Sequence, residues 1–375
     1  MRSRVLWFLY SLIFAVFLLE AGSRLILLFK SSRPLVYSST QPPRPSRFEI
    51  PESLSAEPQV GSWQFSDLPV TIHEVSAFSI EDGLWLPVRQ AKLEVKMTEH
   101  ATGRVVRTIS MHTDGRGRRT PSWHSERLRT AKSHIVTFGC SMTWGYGVAD
   151  DEAYPSLLSR DSADFVTYNI SAGGYGLGEI LVRAQDYDGL DKVVPRQGVG
   201  IYALADFHMA RFNNSVFSRG QNWRSNGIVV EEVAPGRFEA QGRLAAVRPL
   251  WFLFSSLWGS SGLAQLIGVD WPVNDQSRVD RFVRAIKQLR RVYWEKTSLA
   301  NPFIVMLLPF RFDHRPLREA LDREEILFLD YSQVPLHLIL KAPINRPGED
   351  HPGPEFHEKL AAAMSRDLKA YFFKN

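Results

Sequence analysis

One cysteine, Cys140, stands in 375 residues, so no disulfide can close within a single chain and no thiolate metal site can be assembled. Excess charge is also lacking, since 45 Lys and Arg are set against 40 Asp and Glu for a net charge of +5. The basic residues are scattered among acidic ones, which gives no case for a nucleic-acid partner. No internal repeat is evident. An unbroken apolar run of the roughly 20 residues that a spanning helix wants is missing too. What the chain does have is core-forming material, with 44% hydrophobic and 12% aromatic residues. Its length suggests about two domains.

The N-terminus comes nearest to a membrane segment. Arg2 and Arg4 precede fifteen uncharged, mainly apolar residues, Val5 to Leu19, and apolar character resumes from Leu25 to Phe29. A span from Val5 into Ala21 or Gly22, with Glu20 and Arg24 near the interface, is feasible on length. Ala21-Gly22-Ser23 also fits a small-residue cleavage site, which would make the segment a signal peptide. Arginines ahead of the run favour an N-in orientation, with the rest of the chain outside the cytoplasm. The expectation is a transmembrane signal-anchor over residues 1–30.

Prolines 34, 42, 43, 45 and 51 among many serines mark residues 31–60 as an extended linker. Over 61–130 the chain reads as a small β-rich accessory region. Leu93–Met97 and Val105–Ile109 alternate around a turn at Ala101-Thr102-Gly103. The cluster Arg104, Arg107, Arg116, Arg118 and Arg119 reads as a solvated face or as a patch for an acidic polymer or lipid headgroups.

From Ser133 the pattern changes to alternating strands and helices, the mark of a parallel sheet covered on both faces. Strands are expected at Ile135–Phe138, Phe165–Ile170, Gly198–Leu204, Pro302–Leu308 and Ile326–Asp330. Helices are expected at Asp151–Arg160, Arg278–Lys296 and Pro354–Phe372, the second with Val279, Phe282, Val283, Ile286, Leu289 and Tyr293 on one face. The fold class is therefore α/β, a three-layer α/β/α sandwich with a five-stranded parallel sheet over residues 133–375. An insertion at about 213–276 carries the apolar run Pro249–Trp258. It reads equally as a lid beside the site or as a helix covering the sheet edge.

The stretch Ile135-Val136-Thr137-Phe138-Gly139-Cys140-Ser141 reads as a buried strand that runs into a tight turn. Gly145 and Gly147 come soon after it. The turn lifts Ser141 to the strand's carboxyl edge, where ligands of open α/β sheets sit, so Ser141 is a candidate nucleophile. It reads equally as the cap of the next helix.

Three more stretches fall at element ends: Asn169-Ile170-Ser171-Ala172-Gly173-Gly174 after the second strand, Asp206-Phe207-His208 after the third, and Glu349-Asp350-His351-Pro352 before the last helix. Together with Gly139-Cys140-Ser141-Met142 they resemble, in the same order, the motif blocks of the SGNH (GDSL-type) hydrolase superfamily. The fold that this implies is SGNH/flavodoxin-like. Upstream there is weaker likeness to membrane-anchored bacterial members, which implies an extracytoplasmic protein at the inner membrane, facing the periplasm.

The resemblance assigns Ser141 as nucleophile and His351 as the base that takes its proton, because a serine hydroxyl is a poor nucleophile until an imidazole deprotonates it. A carboxylate on the histidine's loop would orient the ring. Gly348 stands at the common spacing, which leaves Glu349 and Asp350 as alternatives. His357 reads as a packing residue. The oxyanion donors implied are the backbone N–H groups of Ser141 and Gly174. Asn169 is expected to brace its loop. Where the family places a third donor, an asparagine, this chain has Asp206 and His208. Cys140 replaces the aspartate of the namesake motif and reads as a small buried residue.

The resemblance implies a serine esterase that acts on an ester or O-acyl group, on envelope polysaccharide or lipid, with no metal or cofactor. An O-acyltransferase to a glycan and a catalytically inactive glycan-binding protein are the alternatives. The partners implied are the acylated substrate and, through the N-terminal helix, the membrane.

Overall fold

The computed structural model describes residues 14–24, 70–73, 78–81, 84–87, 89–99, 105–160, 163–205, 207–215, 227–267, 275–308, 315–332, 345–346 and 349–372. Residues 14–24 are helical, while 1–13, 25–30 and the expected linker lie outside the described residues. Among the described residues, no helix is long and apolar enough to cross a membrane.

The region before residue 130 is β-rich. Strands β1 (Val70–His73), β4 (Lys92–Glu99) and β5 (Val105–His112) form an antiparallel sheet in the order β1-β4-β5, and β2 (Phe78–Glu81) pairs with β3 (Leu84–Pro87). The expected hairpin is there, with Leu93 opposite Met111 and Val95 opposite Ile109. This region shares a core with the α/β domain, since Leu84 and Leu86 lie in the same buried cluster as Val136 and Tyr168. Helix α1 (His124–Thr130) leads into the main sheet.

The main sheet comprises β6 (Ser133–Phe138), β7 (Phe165–Asn169), β8 (Gly198–Leu204), β11 (Phe303–Leu307) and β12 (Leu327–Asp330). All pairings are parallel, in the order β12-β11-β8-β6-β7. Alternate residues on these strands face two separate cores, as strands buried on both sides must. Val136, Phe138, Val166, Tyr202, Leu204 and Val305 face one, whereas Ile135, Val199, Ile201, Ala203, Ile304 and Met306 face the other. Crossover segments on one side hold α2 (Ser141–Trp144) and α3 (Tyr154–Arg160). The last helix, α11 (Pro354–Phe372), packs there through Phe356, Leu360 and Met364. On the other side lie α4 (Leu177–Asp186), α9 (Gln276–Lys296) and α10 (Arg315–Arg323). Asp275 caps α9, its carboxylate accepting from Arg278 N.

The chain runs from β6 to β7 in one direction, then returns across β6 to β8, β11 and β12 in the other. The strand order therefore reverses at β6, and in open α/β sheets the crevice at such a reversal holds the ligand.

The insertion is more than the apolar run suggested. After α5 (Phe207–Phe212) come a hairpin of β9 (Ile228–Ala234) and β10 (Arg237–Arg243), then α6 (Leu244–Val247), α7 (Pro249–Ser260) and α8 (Gly262–Ile267). Sequence reasoning missed the hairpin, although Pro235-Gly236, with Gly236 at φ 68°, is its turn signal. It docks on α9 through Gln288, which accepts from Phe238 N and donates to Phe238 O.

Candidate active site

The turn after β6 is shaped by close approach. A Cβ on Gly139 would lie 2.1 Å from Thr143 Oγ1, so only glycine fits there. Cys140 is extended and fully buried, and Ser141 opens the one-turn helix α2. Gly145 ends that turn at φ 82°, in the left-handed region that favours glycine.

A buried arginine holds the far end of this loop. Arg119, 2% exposed, donates to the carbonyl oxygens of Trp144 (2.7 Å), Gly145 and Val148 and pairs with Asp150 at 2.6 Å. Burial alone pushes the guanidinium pKa down, and Asp150 opposes that most strongly. With carbonyls and a carboxylate together, its donors are well satisfied.

The neighbouring loop leaves the end of β7. Asn169 braces the first loop as expected, since its amide donates to Thr143 O at 2.9 Å and its oxygen accepts from Ser171 N. Arg183, 1% exposed, donates to Ile170 O, Ser171 O and Gly117 O at 2.8–3.0 Å. Gly174 stands at φ 79°, yet a Cβ there would meet nothing within 4 Å. Its backbone conformation, not crowding, is what calls for glycine.

Residue 351 arrives from the opposite end of the chain. It lies between the strand pair β13 (Asn345–Arg346) and β14 (Glu349–Asp350) and helix α11. Ser141 Oγ lies 2.8 Å from His351 Nε2, across 210 residues of sequence. Both residues are half-buried, which leaves the pair reachable. The ring of Tyr146 lies against the imidazole at a centroid distance of 4.9 Å. Glu349 and Asp350 are described only as backbone, and their side chains lie outside the described residues.

His357 is a core histidine. It is fully buried, stacks on Tyr154 at 5.9 Å, and its Nδ1 accepts from Tyr154 N at 3.1 Å. Burial, reinforced by the charges of Arg119 and His351, lowers its pKa to about 3.

The third donor position departs from expectation. His208 has no exposed surface, and its ring faces Tyr202 OH at 2.9 Å. Burial holds it neutral, its pKa well below the usual value. An enclosed ring cannot touch a substrate, so His208 is a core residue and not an oxyanion donor. Asp206 lies outside the described residues. The Cys140 thiol is pushed up in pKa by burial, which fits a packing residue rather than a nucleophile.

The arginine cluster is also corrected. Arg118 and Arg119 are buried, at 4% and 2% exposed, so these two form neither a solvated face nor a binding patch. Arg104 and the side chain of Arg107 lie outside the described residues. Sequence reasoning missed the roles of Arg119, Arg183 and Tyr146. Tyr146 was visible as an aromatic in the glycine turn, but nothing local marks the two arginines. No group of three or more His, Cys, Asp or Glu that could hold a metal occurs among the described residues.

No family model matches the chain, and no curated protein matches it. Among solved structures it is similar to the psychrotrophic esterase EstA from Pseudoalteromonas sp., at 11% identity over 64% of this chain and 100% of that one, TM-score 0.34. A family two carbohydrate esterase from Cellvibrio japonicus matches at 9% identity over 80% and 98%, TM-score 0.37. A member of the lipolytic protein G-D-S-L family from Veillonella parvula matches at 12% identity over 65% and 100%, TM-score 0.34. These neighbours are esterases and lipolytic proteins. At such identities and TM-scores the likeness carries no weight for function, which rests on the site itself.

Proposed function

We propose that the chain is a serine esterase of the SGNH type, in which Ser141 attacks an acyl carbonyl and His351 takes its proton. One observation carries this reading: the 2.8 Å approach of Ser141 Oγ to His351 Nε2 at the carboxyl edge of β6, where the strand order reverses. For Nε2 to accept, the imidazole proton must sit on Nδ1, the tautomer that an orienting carboxylate would hold. Glu349 or Asp350 is that carboxylate.

In the first half-reaction Oγ bonds to the carbonyl carbon as its proton passes to Nε2. The developing oxyanion is met by the N–H groups of Ser141 and Gly174. His351 then protonates the leaving alcohol as its bond to carbon breaks, leaving an acyl-enzyme. Water enters next, gives its proton to Nε2, and releases the acid as Ser141 recovers its hydroxyl. Were a glycan hydroxyl to replace water, the same acyl-enzyme would serve an O-acyltransferase. The substrate class is an ester or O-acyl group, on envelope polysaccharide or lipid. On this reading the protein stands outside the cytoplasm, held to the membrane by its N-terminal segment.

A second reading, an inactive binding protein, is favoured by one observation: His208 stands at the third donor position and is enclosed. A fluorophosphonate probe decides between them. Covalent labelling of the wild type that Ser141→Ala abolishes is the expected result, and an unlabelled wild type leaves the binding reading in its place.

A further inference from the structure

Helix α7 carries its polarity inside out. Ser255 is fully buried, whereas Leu250, Leu253, Phe254 and Leu257 are exposed at 83%, 56%, 46% and 65%. Their spacing of three and four residues puts the exposed four on one stripe. Large apolar side chains gathered on the wet face of a helix mark a surface that something apolar covers. Helix α9 shows the ordinary arrangement, with Val279, Phe282, Val283, Ile286 and Leu289 all buried.

The N-terminal helix meets the chain just after α7 and shares the feature. Phe14, Val16, Phe17, Leu18 and Leu19 are each 54–66% exposed. Glu20, one residue on, ties this helix to the start of α8. Its carboxylate accepts from Ser261 Oγ at 2.7 Å, Gly262 N at 2.6 Å and Leu263 N at 3.2 Å. Arg24 approaches so closely that a Cβ on Gly262 would lie 2.6 Å from its Cγ. Two elements with exposed apolar residues, from distant parts of the chain, are thus joined at the residues just after α7.

We propose that α7 is a second membrane contact, lying flat in the bilayer interface next to the N-terminal segment. The lipid bilayer is the occupant for three reasons. The exposed residues 14–19 continue an apolar run that begins at Val5 and is preceded by Arg2 and Arg4. Trp251 and Trp258 stand on α7, and tryptophan favours the headgroup boundary. Arg248 and Arg24 are exposed at the ends of the two helices, where their ion pairs with Glu231 and Glu20 keep charge at the rim of the apolar surface rather than on it. A 12-residue helix is about 18 Å long, too short for a hydrocarbon layer of roughly 30 Å, so α7 rests in the interface rather than spanning it. The inference rests on the membrane reading of the N-terminal segment and adds a contact from the insertion.

Site-directed fluorescence tests it on the full chain. Cys140 is fully buried, so a thiol placed at a surface leucine is the one that takes an environment-sensitive dye. Leu253→Cys reports α7 and Phe17→Cys reports the N-terminal helix. Leu299→Cys, 79% exposed near the amino edge of β8, serves as the wet reference. Each labelled chain is reconstituted into phosphatidylcholine–phosphatidylglycerol vesicles, with and without a spin label on the acyl chains. The expected result is a blue shift, a severalfold rise in emission and quenching at 253 and at 17, with 299 unchanged. Quenching at 17 with 253 as wet as 299 overturns the α7 contact and leaves the N-terminal anchor standing. If 253 is dry but insensitive to the lipid-borne quencher, and equally dry without vesicles, a protein surface covers α7 and the proposal falls. Absence of quenching at both positions sinks the anchor and the α7 contact together.

Discussion

The two loops that carry the proposed chemistry leave adjacent parallel strands, yet they are held in different ways. The Ser141 loop after β6 is clamped by Arg119, whose charge is matched by Asp150. The Gly174 loop after β7 is clamped by Arg183, which grips it through backbone carbonyls. In both cases a guanidinium from outside the loop gathers backbone carbonyls within it. The matched ion pair makes the first clamp the more costly to break, because its loss leaves the buried Asp150 carboxylate with His112 as its remaining partner. A nucleophile that must not move thus has the stiffer mount.

Removing the chemistry should have the largest effect and spare the comparison. Ser141→Ala and His351→Ala should each lower turnover on the order of 10³-fold or more, with thermal melts close to wild type. Assay of a chromogenic ester checks this, and full activity in either variant overturns the assignment. The orienting carboxylate can be found the same way. One of Glu349→Gln and Asp350→Asn should be severe and the other mild.

Next come the clamps. Arg119→Met should cost about 3–5 kcal/mol of stability, the usual loss when one partner of a buried pair is removed. Arg183→Met leaves carbonyls rather than a charge unpaired and should cost about 1–3 kcal/mol. Urea denaturation of the two variants ranks them directly. A larger loss at Arg183 would reverse the comparison.

Acid should strain the Ser141 side through His357, which lies near Arg119. Its folded pKa is about 3 against an ordinary 6.5. The unfolded chain therefore binds a proton below about pH 6.5 that the folded chain refuses until about pH 3. Stability is complete above the upper value and drains away as pH falls toward the lower one. Burial also lowers His124 and His134 to about 4, in the same direction. Melting temperature should fall from pH 6.5 to 4, and less steeply in His357→Gln.

Smallest are the single-atom changes. Gly174→Ala meets open space but keeps a positive φ, so roughly 1–2 kcal/mol is lost. Activity should drop by more than that stability loss explains, because the loop's N–H groups turn. Cys140→Ser should leave turnover largely intact, and a severe loss would give the thiol a role that burial argues against.

Much of the frame was legible. All five main strands read as short apolar runs, because strands buried on both faces need apolar residues at every position, as Val136 beside Ile135 shows. The close turn at Gly139 was visible for the same local reason. The hairpin of β9 and β10 was not, since the adjacent Glu231 and Glu232 break the alternation, the second being held by Arg284 of α9 on the inner face. His208 was misjudged because a histidine after a strand looks the same whether it faces the cleft or the core.

By itself the sequence determined the parallel sheet, the turn that presents Ser141, and the order in which serine, glycine and histidine arrive. Those come from backbone preference and apolar periodicity, which act over a few residues. Only the tertiary structure decided that Arg118 and Arg119 are buried, that Arg183 joins Gly117 to the loop after β7, and that His208 is sealed away. It also decided that Glu20 meets Ser261 across 241 residues. A charged side chain is soluble in any local context. Its burial depends on carbonyls and carboxylates that distant segments bring to it, and no window of neighbouring residues contains them.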